Sequence, residues 1–307
     1  MRLAYFGLPL AALALLADGH ELAFAALSRR GLPGTRRLRR ALGDDRVLVV
    51  PRVDRSFASR VRGCDLVVSW FWTKRLPIEV VRAAPLGGVG VHPSLLPRWR
   101  GPDPYFWAID SGDAVTGVTA HRLEAEYDTG AILGAREVVI DRRWDAWRLA
   151  RALDAPSLGL LREVVGAFAR GTPPAERRQD ERAVTLAPEP NDALLEIDWS
   201  RDAEAIVRRV RAAAPYPGAW TFIGEEAVVI TRAEPAVAPR ALRRGEAMVV
   251  DSRVVVASAG GGVALLAGRR VDEDDREHSL DAEGFVSVLR GAQRASENGA
   301  PDGPDAP

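Results

Sequence analysis

Apolar and β-branched runs alternate with helix-compatible stretches through the first half of the chain, and this alternation restricts the fold more than any other feature. LAYFG, ELAFAAL, RVLVVP and DLVVSW read as strands, with LAALALLADG, TRRLRRALG and ASRVRG as helices between them. Strand and helix in turn predict a parallel sheet with crossover helices, an α/β domain. A further strand, GGVGVH, ends at His92, where Pro93 stops it and turns the chain. Ligands of open α/β sheets gather outside the carboxyl ends of the strands, so a polar residue there is well placed for chemistry.

The N-terminus has two readings. Arg2 followed by the apolar stretch Leu3 to Ala17 has the outline of a secretory signal. Gly7 and Pro9 nevertheless divide it into a strand and a helix, and a new strand follows Gly19 and His20, so the strand–turn–helix–strand reading is preferred. No window reaches the roughly 20 unbroken apolar residues of a membrane span. The single cysteine, Cys64, cannot form an internal disulfide, and the four histidines lack zinc-site spacing. Together these features predict a cytoplasmic protein without a metal, monomeric, with Cys64 a buried structural thiol.

Beyond Asp141 the pattern changes. Trp144 to Arg170 carries apolar residues every three or four positions and predicts one long helix stopped by Gly171. Four prolines among the charges of residues 172–192 read as an extended linker. A helix is expected from Ser200, as N-cap, to Ala213. Then AWTFIG, EAVVITRA, EAMVVD, RVVVASA and GVALLAG predict short strands of a small barrel or sandwich. The expected boundaries are a first domain over 1–175, a linker over 176–196, a second domain over 197–293 and a disordered tail over 294–307.

Chemistry concentrates around His92. A histidine titrates near neutrality and suits proton shuttling, and a nearby carboxylate can hold its imidazolium form. The run HPSLLPRWRG, the phrase TGVTAHRLEAEYDTGAIL and the later phrase IDWSRDAEAIVRRVRAAAPYPGAWTF resemble the folate-dependent formyltransferases, which include enzymes acting on methionyl-tRNA and on amino sugars. With FGLP at Phe6 to Pro9, the resemblance touches both domains. It implies a Rossmann-like open sheet carrying the catalytic site, followed by a smaller β-rich, OB-like barrel.

The resemblance also implies roles for particular residues. His92 would be the proton shuttle and Asp128 the carboxylate that supports its charged form. Without the resemblance, Asp128 reads as a turn residue before Thr129 and Gly130. The co-substrate would be 10-formyltetrahydrofolate, with Ser94, Leu95, Leu96 and Pro97 lining its site. The loop Trp72, Thr73 and Lys74 and the stretch from Glu124 to Asp128 would close around the pterin. Arg100 and Gly101 would fix the turn, unless the arginine only satisfies loop carbonyls.

One position departs from the family pattern. Gly90 stands where the pattern has an asparagine whose amide would bond the formyl oxygen, and losing one such donor typically costs about 10² to 10³ in rate. Ser69, Thr73 or a freed backbone amide are candidate substitutes.

The acceptor is expected to be the amine of initiator methionyl-tRNA. The alternatives are an amino sugar carried on a nucleotide, and an impaired homologue that only binds folate. Basic and acidic residues balance at 42 each, so any polyanion would need a local basic patch. SRRGLPGTRRLRR has six arginines but is short beside the basic loop of tRNA-modifying members, and Arg36, Arg37, Arg39 and Arg40 could equally be a helix's wet face. From Ser200 onward there are 14 basic and 17 acidic residues, although Arg208, Arg209 and Arg211 could form a patch.

Overall fold

A computed structural model of the chain describes residues 1–272, 274 and 276–298. It divides into two compact units, one formed by Met1–Tyr105, Ala114–Asp141 and Leu149–Glu189, the other by Phe106–Asp113, Arg142–Arg148 and the chain from Pro190.

The first unit is built on β1 (Arg2–Gly7), α1 (Pro9–Ala17), β2 (Glu21–Leu27), α2 (Thr35–Leu42), β3 (Val47–Val49), α3 (Ala58–Val61), β4 (Leu66–Trp70), α4 (Ile78–Arg82) and β5 (Gly88–His92). After α5 (Pro104–Asp110) come β6 (Val115–Arg122), β7 (Ile132–Val139) and the long α6 (Ala146–Ala169). The sheet order is β3-β2-β1-β4-β5-β6-β7. Strands β1 to β5 are parallel, and the central ones are apolar on both faces because helices cover them; Leu3, Ala4, Tyr5 and Phe6 of β1 are fully buried.

The expected parallel sheet is thus mixed. Strand β6 runs antiparallel to β5 and to β7; the connection 123–131 between β6 and β7 is too short for the crossover that parallel neighbours need. Neither strand is evident from periodicity in TGVTAHRLEAEYDTGAIL. The order reverses direction between β1 and β4, and at that switch point the strands approach closely. A Cβ at Gly7 would stand 1.9 Å from the Trp70 carbonyl oxygen, so only glycine fits the end of β1. The indole of Trp70 donates to Ser157 Oγ at 2.8 Å, tying β4 to α6, whose buried Leu149, Leu153, Leu160, Val164 and Phe168 recur at helical spacing.

Cys64 is buried, and burial pushes its thiol up, away from the reactive thiolate. Helix α2 is amphipathic, with Leu38 and Leu42 buried and Arg36, Arg37 and Arg40 exposed, while Arg39 pairs with Asp44 at 2.8 Å. The stretch 172–189 belongs to the first unit with its backbone engaged: Arg177 exchanges hydrogen bonds with Ile132, and Ala187 with Arg100 and Asp103.

The second unit holds α7 (Asp192–Leu195), α8 (Ala203–Ala213), β8 (Ala219–Ile223), β9 (Glu226–Ala236), β10 (Ala247–Val250), β11 (Arg253–Ser258), β12 (Gly261–Val271), β13 (Glu277–Asp281) and α9 (Ala282–Asn298). Its strands form an antiparallel sheet ordered β10-β11-β12-β9-β8, with β13 on β12, around Val228, Ile230, Val254, Val263, Leu265 and Phe285. The cap of α8 is Asp202, not Ser200. The Asp202 carboxylate accepts from the Ala205 N–H at 2.8 Å, whereas Ser200 belongs to a preceding turn in which its own N–H donates to Asp198.

Two further expectations change here. Residues 294–298 of the anticipated tail continue α9, and the rest of that tail lies outside the described residues. The arginines of α8 are spent within the unit: Arg209 forks onto both Asp110 oxygens at 2.7 and 3.0 Å, Arg208 donates to the Asp110 carbonyl, and Arg211 to that of Trp144. Largely buried pairing of this kind leaves Arg209 unavailable to phosphate.

Candidate active site

Strand β5 delivers His92 to the carboxyl edge of the sheet, where Pro93 turns the chain away and leaves the imidazole 6% exposed. Its Nε2 lies 2.7 Å from the Trp99 carbonyl oxygen. A carbonyl only accepts, so Nε2 carries the hydrogen and Nδ1 is the nitrogen free to gain or lose a proton. Nδ1 faces the Asp128 carboxylate, 3.5 Å from Oδ2.

Asp128 is both the turn residue and the carboxylate. Its backbone is left-handed, with φ of 57°, a conformation aspartate tolerates better than most residues. Surrounding bonds hold it there. Oδ2 accepts from the Gly101 N–H at 3.0 Å, and the amide nitrogen of Gln179 donates to the carbonyls of Asp128 and Gly130, each at 2.7 Å. Arg100 fixes Gln179 in turn, with Nε and Nη2 on its Oε1 at 3.0 and 2.8 Å, and clamps Glu181 at 2.8 Å. The guanidinium holds the Glu181 carboxyl below its usual range. Arg100 therefore binds side chains, not the loop carbonyls first considered. Gly130 completes the turn, since a Cβ there would meet the Arg122 carbonyl oxygen at 1.9 Å. Phe71 and Trp99 also have positive φ, so three left-handed non-glycine residues surround this edge, as is common where geometry serves a site.

A second imidazole completes the cluster. His121 of β6 is buried, its Nδ1 lies 2.8 Å from the Arg122 carbonyl oxygen, and its Nε2 stands 3.6 Å from Asp128 Oδ1. One carboxylate is thus flanked by two rings, each with its other nitrogen committed to a carbonyl. Burial pushes the His121 ring below the ordinary histidine value, Asp128 opposes that shift, and His92 and Arg100 reinforce it. The sequence reading passed over His121. Its signal was a polar ring two residues after buried Thr119 on one face of an unrecognised strand.

The three groups line a cavity of about 610 Å³. Trp72, Thr73, Lys74 and Glu124 lie on its wall, with Thr73, Lys74 and Glu124 exposed at the rim. Leu76, Val81, Val91 and Leu123 make it apolar, and burial keeps the Tyr105 hydroxyl neutral by pushing its value up. Ser94, Leu95, Leu96 and Pro97 are not part of this wall. Ser94 Oγ donates to the Arg98 carbonyl, and Thr119 Oγ1 brackets the turn by accepting from Leu96 N–H and donating to the Ser94 carbonyl. These residues shape the turn that aims His92. Of the substitutes considered for the missing amide, Ser69 and Thr73 both reach the cavity.

Imidazoles sharing a carboxylate at a sheet edge, beside a cavity lined with apolar groups, define a group-transfer enzyme site that moves protons. Residues 53–165 match the formyl transferase family model, and residues 191–278 match that of the formyl transferase C-terminal domain. A methionyl-tRNA formyltransferase of Phenylobacterium zucineum is 36% identical over 235 residues, covering 75% of this chain and 73% of the relative. Another, from Nitrobacter hamburgensis, is 32% identical over 88% of this chain and 92% of the relative. Among solved structures, HypX from Aquifex aeolicus in complex with tetrahydrofolic acid superposes with a TM-score of 0.66 at 21% identity, over 95% of this chain and 48% of that one. The chain belongs to the formyltransferase family.

Proposed function

We propose that the chain transfers the formyl group of 10-formyltetrahydrofolate to a primary amine, that of initiator methionyl-tRNA. The observation that carries this reading is the His92–Asp128 pair opening into a cavity of about 610 Å³, in a chain whose relatives at 36% and 32% identity are methionyl-tRNA formyltransferases.

The cavity wall suits a reduced folate. Its apolar side chains match a flat heterocycle. Lys74 at the rim is a cation available to the carboxylates of the folate tail. In the reaction, the free Nδ1 of His92 takes the proton that the attacking amine releases and returns it to the departing nitrogen, while Asp128 stabilises the intervening imidazolium. Residues 1–175 are proposed to supply this machinery, with Gln179 beyond them holding Asp128 in place.

Purified protein given 10-formyltetrahydrofolate with methionyl-tRNA, or with a nucleotide-linked amino sugar, tests the reading by tetrahydrofolate release. Release that depends on the tRNA supports it. Release only with the sugar assigns the other acceptor, and folate binding without release on any amine overturns the enzyme reading.

A further inference from the structure

The asparagine that the family resemblance places beside the shuttle is Gly90 here, which leaves the formyl oxygen without that donor. Gly90 and His121 are register partners on β5 and β6, so their side-chain positions share one face of the sheet. A Cβ on Gly90 would lie 3.7 Å from His121 Nε2. The imidazole therefore stands beside the place an asparagine amide would reach, in the same cavity as His92. Resting on the formyl-transfer reading, we propose that His121 is a catalytic residue whose Nε2–H donates to the formyl oxygen as negative charge develops there.

Nδ1 of His121 donates to the Arg122 carbonyl, so Nε2 bears a hydrogen only in the imidazolium form. Burial, with His92 and Arg100, holds the ring below the ordinary histidine value, and Asp128 opposes that shift. A single carboxylate between two rings supports one imidazolium better than two. Transfer runs in the state with the proton on His121 Nε2 and His92 Nδ1 free, and the negative charge developing on the formyl oxygen joins that of Asp128 in favouring this state against burial. The amine nitrogen then bonds to the formyl carbon, and the carbonyl electron pair moves to oxygen, where His121 stabilises it. His92 Nδ1 takes a proton from the new ammonium. As the oxygen's pair returns, the bond to the folate nitrogen breaks and that nitrogen receives the proton from His92. His121 keeps its proton throughout.

The test is turnover of the parent, His121→Ala, His121→Asn and the double variant Gly90→Asn/His121→Ala, across pH, with folate affinity and thermal midpoint measured on the same preparations. His121→Ala is expected to lose about 10² to 10³ in kcat, the usual worth of one oxyanion donor, while still binding folate. Gly90→Asn in that background should restore at least tenfold, because the amide enters the space the ring vacates. The parent should lose rate on both sides of its optimum, whereas His121→Asn should lose it only towards acid, its donor no longer being a proton that alkali removes. His121→Ala within threefold of the parent, or a deep loss that Gly90→Asn leaves unrescued in a folded double variant, overturns the proposal while the formyl-transfer reading stands. A parent that transfers no formyl group to any amine overturns both.

Discussion

His92 and His121 each spend one ring nitrogen on a backbone carbonyl, and this commitment decides which atoms can do chemistry. Replacing His92 with alanine removes the ring nitrogen that the end of β5 places beside Asp128 Oδ2. Turnover is expected to fall by about 10² to 10⁴ with folate affinity retained, and equal losses of kcat and affinity in that variant would point to collapse of the pocket instead. Asp128→Asn keeps an oxygen for the Gly101 N–H but loses the charge that supports either imidazolium. The rate should fall about 10²-fold or more, and a profile of rate against pH superposable on the parent's would reduce Asp128 to a turn residue. Gly90→Asn alone is a different test. Its Cβ would meet Leu123 Cδ2 at 2.9 Å, so the space is already filled and the leucine must move, costing roughly 1 to 3 kcal/mol in thermal or denaturant unfolding. An unchanged midpoint would show that Leu123 yields freely. At this scale the sequence revealed His92 and Asp128 through their flanking motifs. It hid His121, because a histidine inside an unrecognised strand announces neither its face nor its partner.

Strand β6 is the element that turns a His–Asp pair into a three-membered cluster, and it was the least legible. Its apolar residues are interrupted by Thr116, Thr119 and His121, all buried, so alternation marks neither a polar nor an apolar face. The five strands predicted in the second half were plain because short valine-rich runs were separated by glycine and charge, whereas β13, in a charged stretch, was not. The segment after α6 also escaped a functional reading, since proline and charge say only that it is extended. Its Gln179 amide satisfies two carbonyls of the strained turn, which gives a prediction at this scale. Gln179→Ala should lower stability by about 1 to 3 kcal/mol, the cost of leaving buried acceptors unpaired, and lower turnover at least tenfold as Asp128 loses its support. Full activity with reduced stability would confine Gln179 to a structural role.

Taken whole, the chain was legible as an α/β unit followed by a β-rich one, because alternating periodicity and short punctuated strands are local signals. The mixed character of the sheet arises where β6 joins β5 antiparallel, and it emerges only when strands are paired. Charge gave less, for the arginines of α8 that might have marked a polyanion surface are spent on internal bonds. Arg209 is closed onto Asp110, whereas Arg29 and Arg30 after the second strand and Arg36, Arg37 and Arg40 on α2 are exposed, the last three on one helix. If tRNA is the acceptor, changing these three to glutamate should raise KM for the tRNA at least tenfold and weaken its dependence on salt, with folate affinity unmoved. An unchanged KM would place the tRNA contacts elsewhere. The most direct measurement of the central claim is tetrahydrofolate release from 10-formyltetrahydrofolate in the presence of methionyl-tRNA, followed in parallel for the parent and His92→Ala. The structure predicts tRNA-dependent release by the parent and a loss of at least 10² in the variant; equal rates in the two would contradict it.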